Sequence, residues 1–189
     1  MRWSSSLLAA TAALALSAPA AAAIKALSLP ELMSITNDTV DGQIVSSETF
    51  RVDDPDYEGV VFTRLTIVGE SMRTGEKVST KVVFRGSHDP ADGYATSEMP
   101  ALNDVRVGGR AVFFIENRDA YVAGPNVVWN FANVFRVESV AGNPVVMGKG
   151  QGAAFPENLT LASAREQVRT VHLSLEAQKS KVLPDGMDN

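Results

Sequence analysis

The chain has 189 residues, 45% of them hydrophobic and 21% charged, with 17 basic against 22 acidic side chains for a formal charge of −5. That length suits one domain whose core can stand unaided, and the acidic balance gives no net attraction for nucleic acid or an anionic membrane. The absence of cysteine excludes disulfides, thiol catalysis, thiolate metal sites and a lipoprotein anchor.

Residues 1–23 have the make-up of a secretory signal peptide: Arg2 as the positive start, an apolar run over residues 7–16, and small residues from Ala18 to Ala23. The apolar run is too short to span a bilayer comfortably and no stop-transfer stretch follows. The expectation is a secreted or periplasmic chain, without a membrane anchor, cleaved near Ala23. Loss of Arg2 takes its formal charge from −5 to −6.

Ser28-Leu29-Pro30-Glu31 is a capping box with proline in the first turn, predicting a short helix over residues 29–36. From residue 40 the pattern is that of strands. Residues 40–52 and 60–68 flank the polar turn Asp53-Asp54-Pro55-Asp56. Residues 77–85 alternate, with Val78, Thr80, Val82 and Phe84 on one face and Ser79, Lys81 and Arg85 on the other. A long loop over residues 86–109 follows, then an apolar strand at 110–116 and the turn Asn117-Arg118-Asp119. Residues 127–138 predict one further strand, with Val127, Trp129, Phe131, Phe135 and Val137 inward and Asn133 as a polar exception. A short strand at 144–147 precedes a helix carried by Leu159, Leu161, Ala164, Val168 and Val171. The domain is placed at residues 24–176, with a tail at 177–189.

Five or six strands at hairpin spacing, flanked by one helix at each end, predict an all-β fold: a small antiparallel OB-like barrel, with a β-sandwich as the alternative.

Candidate chemistry is sparse. Asp54-x-Asp56-x-Glu58-Gly59 matches the first half of a calcium loop, but its twelfth position is Leu65 where a bidentate glutamate belongs. The competing reading is a solvated turn. His88, Asp89 and Asp92 share the long loop and supply a possible base or metal ligands. The only other histidine, His172, falls in the predicted C-terminal helix, so a multi-histidine zinc centre is excluded. No nucleophile elbow is present, and Gly148-Lys149-Gly150-Gln151-Gly152 lacks the helix start of a phosphate cradle. Phe113, Phe114, Trp129, Phe131 and Phe135 follow strand periodicity and predict core. Trp129, Phe131 and Asn133 together are the mixture a ligand pocket uses.

Leu29-x-Glu31-Leu32, Val40-x-Gly42-x-Ile44-Val45, the strand pair around Gly69 and Gly75, and Val107-Gly108-x-x-Ala111-Val112-Phe113-Phe114 resemble a loose group of exported bacterial β-barrel proteins. The likeness covers residues 27–171. It implies export and a barrel, and carries over no active-site residue. A fainter topological likeness is to the OB-like barrels of netrin and metalloproteinase-inhibitor type, whose N-terminal cysteine and disulfides are missing here.

These readings converge on an exported, non-enzymatic binding module for an envelope or secreted protein partner or a polysaccharide. Contacts are placed on the long loop, at Tyr94 and Met99, and on the rim at Trp129, Phe131 and Asn133. No cofactor is expected unless calcium binds at Asp54, Asp56 and Glu58. The alternatives are a metal-assisted hydrolase using His88, Asp89 and Asp92, and a structural component of the envelope.

Overall fold

A computed structural model describes residues 26–182. The leader assigned to residues 1–23, and the tail from residue 183 onward, lie outside the described residues.

Strand β1 (Asp38–Phe50) pairs antiparallel with β2 (Phe62–Ser71), and β2 with β3 (Lys77–Arg85). The first half of β1 also pairs antiparallel with β4 (Arg110–Asn117), through Asp38–Gln43. A bulge between Ile44 and Ser46 bends β1, which lets one strand serve two neighbours. The other edge of β4 takes β5 (Asn126–Val127) and then β6 (Val134–Val140). One parallel contact, Val83 with Val127, joins β3 to β5. The order β1-β2-β3-β5-β4 and back to β1 closes an OB-like barrel, which removes the exposed edges a sandwich would keep. Close approach of β1 and β2 depends on Gly69, where a Cβ would stand 2.0 Å from the Asp41 carbonyl oxygen.

Alternation along the strands produces two apolar layers. Ile44, Leu65, Ile67, Val82 and Phe113 fill the barrel interior. On the outer face, Val112 and Phe114 of β4 and Phe135 and Val137 of β6 form a second core. Helices α1 (Leu29–Ile35) and α3 (Leu161–Val182) cover it with Leu29, Leu32, Leu161, Ala164 and Val168. Strand β4 is therefore buried on both faces, as its unbroken apolar run predicts. The Ser28–Glu31 capping box is formed. Strand β6 turns into β7 (Asn143–Val146), whose far edge pairs with β8 (Leu159–Thr160) just before α3.

Three local expectations change. The strand expected over residues 127–138 is broken by a 3-10 turn at Phe131–Asn133, started by the Asn130 side chain accepting from the Ala132 N–H at 2.8 Å. The turn resets the alternation: Val134 enters the barrel, Phe135 and Val137 face the helices, and Phe131 is 37% exposed instead of inward. The long loop holds helix α2 (Leu102–Val105) and a 3-10 turn at Pro90–Asp92. Helical backbone continues past Ala177 to Val182.

Charge fastens α3 to the barrel. Asp41, fully buried, accepts from Arg110 Nε and Nη2 at 2.7 Å each and from Arg165 Nη2 at 2.6 Å. Arg165 also donates to Glu70 at 2.6 Å, and Lys77 lies 3.3 Å from the same carboxylate. A carboxylate wrapped by two guanidiniums satisfies the burial of its charge.

Candidate functional site

A row of aromatic rings from the end of β1, the start of β2, two turns and the segment after β5 packs over the outer side of the barrel at Phe62 and Val83. Phe62 points outward while Leu65 and Ile67 fill the barrel. Around it stand Phe50 at 5.7 Å, Tyr57 at 5.8 Å and Tyr121 at 6.2 Å between ring centroids. Tyr57 and Tyr121 meet edge to face at 6.4 Å, and Tyr121 reaches Trp129 at 5.4 Å. Phe62 is buried, whereas the other four are half-buried. Edge-to-face pairs of this kind hold one another in place.

Two connecting turns deliver the tyrosines. Between β1 and β2, the Asp54 carboxylate accepts from the Asp56 N–H at 2.9 Å and Pro55 opens a 3-10 turn ending at Tyr57. Between β4 and β5, Tyr121 N–H donates to the Arg118 carbonyl at 2.9 Å, and Gly124, at φ 130°, returns the chain toward β5.

Three guanidiniums lie against the rings: Arg64 is 4.0 Å from the Phe50 centroid, Arg118 5.0 Å from Trp129, and Arg85 5.8 Å from Tyr57. Two of them are neutralised, Arg64 by Glu48 at 3.0 Å and Arg118 by Glu116 at 2.7 Å. Burial raises the Tyr121 phenol above its ordinary value and Tyr57 adds to the shift, against the opposing charges of Arg85 and Arg118. Tyr121 is accordingly a neutral hydroxyl at physiological pH.

The row ends in a cleft of about 400 Å³ beside α1, lined by Leu32, Ile35, Glu116, Trp129, Asn130 and Asn133 among others. The Trp129 indole N–H donates to one oxygen of Glu116, while Arg118 donates to the other. Asn133 is buried, with its Nδ2 3.5 Å from the Phe114 carbonyl oxygen. An aromatic wall faced by a carboxylate and two amides suits a ligand with hydroxyl groups.

Of the residues singled out in the sequence, Trp129 and Asn133 line this cleft, and Tyr94 packs on the aromatic cluster. Met99 packs against the barrel interior. With Tyr94, His88 and Asp89 it also lines a separate cavity of about 600 Å³ under the long loop. Phe131 lies elsewhere, its carbonyl accepting from Lys149 Nζ at 2.6 Å.

The acidic residues serve their own turns. Asp54 caps Asp56, Asp89 accepts from the Ala91 N–H at 2.9 Å, and Asp92 accepts from the Ser87 hydroxyl. His88 Nε2 sits 2.8 Å from the Pro100 carbonyl oxygen. Leu65, at the twelfth position of the calcium-loop match, is wholly buried in the barrel. Among the described residues no three His, Asp or Glu side chains are placed to hold a metal ion.

Tyr57, Tyr121, Arg64, Arg85 and Arg118 are not among the candidate site residues of the sequence. The available signal is a tyrosine in each of two turns that flank dense strands. Only barrel closure shows that these turns are neighbours.

Comparison with protein-family models, with curated proteins and with solved structures finds no match to the chain. The fold itself defines the class: a small closed barrel of OB-like strand order with a helical layer on one face. Among the described residues no helix is long and apolar enough to cross a membrane.

Proposed function

We propose that the protein is an exported, non-enzymatic module that binds an uncharged polysaccharide along the aromatic row and in the cleft at Trp129. The observation that carries this reading is the chain of half-buried rings, Phe50 at the end of β1, Tyr57 and Tyr121 in the two turns and Trp129 after β5, lying over Phe62 of β2 and Val83 of β3. Barrels of this strand order use that face and those two turns for oligosaccharides and oligonucleotides; that part of the argument is analogy of fold. The chemistry separates the two ligands. With Arg64 and Arg118 paired to carboxylates and a formal charge of −5, the surface offers a polyanion little. Sugar rings present C–H faces to aromatic rings and hydroxyls to Glu116, Asn130 and Asn133.

The test is affinity electrophoresis of the purified chain in gels containing neutral β-glucan, galactomannan or heparin. Retardation by a neutral polymer, lost in the Tyr121→Ala, Trp129→Ala double variant, supports the reading. Retardation by heparin alone, or by none of the three, refutes it.

A further inference from the structure

A second groove, of about 740 Å³, runs between the end of α1 and the C-terminal half of α3. Its most unusual constituent is Arg73, which follows β2 and is only partly exposed. Arg110, Arg165, Arg64 and Arg118 each donate to a carboxylate. Arg73 is held instead by neutral acceptors. Its Nη2 donates to Thr36 Oγ1 at 2.9 Å and to the Met33 carbonyl at 3.3 Å, and its Nε to Thr39 Oγ1 at 3.3 Å. Among the described residues no carboxylate lies within 4.0 Å of it, and its Nη1 has no hydrogen-bond partner.

The nearby acids are engaged elsewhere. Asp38 accepts from the Thr39 N–H and the Ser71 hydroxyl at 2.7 Å each. Glu176 is held by Lys179 at 2.9 Å. Burial lowers Arg73 from its ordinary value, with Asp38 and Glu176 opposing, and a guanidinium in that position stays charged. A cation fixed by dipoles, with one nitrogen free and its solvation reduced, is pre-organised for an anion.

The other walls set the class of that anion. Lys179 and Glu176 cancel one another and His172 is the remaining titratable side chain of the lining, so among the described residues Arg73 is the one guanidinium offered to a ligand, which favours a monoanion. Ile35, 53% exposed, and Leu175 give the groove apolar sides. The volume exceeds that of a lone carboxylate and falls within the range of small-molecule sites. We propose that this groove binds a small monocarboxylate with an apolar body, its carboxylate on Arg73 and its chain along Ile35 and Leu175. The groove shares Ile35 with the Trp129 cleft but no ring of the aromatic row, and the proposal does not depend on the polysaccharide reading.

The test is a titration of the ¹⁵N-labelled chain with octanoate, and with octanamide as the uncharged control. Octanoate is expected to shift the amides of Ile35, Thr36, Arg73 and Gln178, with octanamide about tenfold weaker. Arg73→Met is expected to abolish the difference between acid and amide. Because Arg73 also braces the end of α1, Gln178→Glu serves as the second variant. It adds a charge to an exposed helix position in the groove and weakens octanoate several-fold while leaving octanamide unchanged. Equal affinities for acid and amide in the wild-type chain, or octanoate affinity unchanged in Gln178→Glu, would overturn the proposal. So would shifts confined to the Trp129 cleft.

Discussion

Replacing Asp41 by asparagine keeps the side chain's shape and removes the charge at the centre of the clamp that ties α3 to the barrel. The wild-type carboxylate is wholly buried and receives three short guanidinium hydrogen bonds. Breaking a buried pair costs about 3–5 kcal/mol, mostly for the charge left unpaired. Here Arg110 and Arg165 retain 45% and 29% side-chain exposure, so water recovers part of their solvation. The expected loss is therefore at the lower end, about 3 kcal/mol, or roughly 6–12 °C in Tm for a domain of this size. Arg165→Met leaves the two-bond Arg110–Asp41 pair intact and is expected to cost only about 1–2 kcal/mol. Urea denaturation followed by circular dichroism measures both, and amide exchange along α3 locates the loosening. A loss below about 1 kcal/mol for Asp41→Asn, or equal losses for the two variants, would refute the clamp.

Two further outcomes follow from local geometry. Hydrogen bonds from Arg165 and then Lys77 hold the Glu70 carboxyl below its ordinary 4.5, so the native state binds fewer protons there than the unfolded chain. That contribution is complete above the ordinary value and is lost as pH falls through the lowered one. The urea midpoint should fall less between about pH 6 and about pH 3 in Glu70→Gln than in wild type; equal falls would contradict the assignment. In the β6–β7 turn, Ala141 and Gly142 have φ of 50° and 81°, a left-handed pair that suits Asn-Gly better than Ala-Gly. Ala141→Asn should raise stability by about 0.5–1 kcal/mol at an unchanged urea slope, and a lower midpoint would count against it.

The elements are legible where the local pattern has one reading. Period-2 alternation in residues 77–85, the apolar run of β4 and the Ser28–Glu31 capping box each have one local solution, and together they led to the barrel. Residues 127–138 do not show their orientation in the sequence: with a core on each side of the sheet, alternation no longer shows which side chain points inward. The short turn at Asn130 then reset the phase. The aromatic row was hidden for another reason. Tyr57 and Tyr121 are far apart in the chain, and their turns meet only because β5 closes against β3 through one pair, Val83 with Val127. Arg64, Arg85 and Arg118 are likewise isolated in sequence and gathered by the fold. Trp129 is legible because Phe131 and Asn133 lie close to it in the sequence, an aromatic and polar mixture.

Tryptophan fluorescence tests the central claim most directly. The chain has two tryptophans, Trp3 and Trp129; Trp3 lies in the proposed leader, so the chain prepared from residue 24 onward reports Trp129 alone. Titration with the neutral oligosaccharide that corresponds to the retarding polymer is predicted to change Trp129 emission saturably, and the change should vanish in Tyr121→Ala. Emission that stays constant while the oligosaccharide demonstrably binds would place the ligand elsewhere and contradict the account.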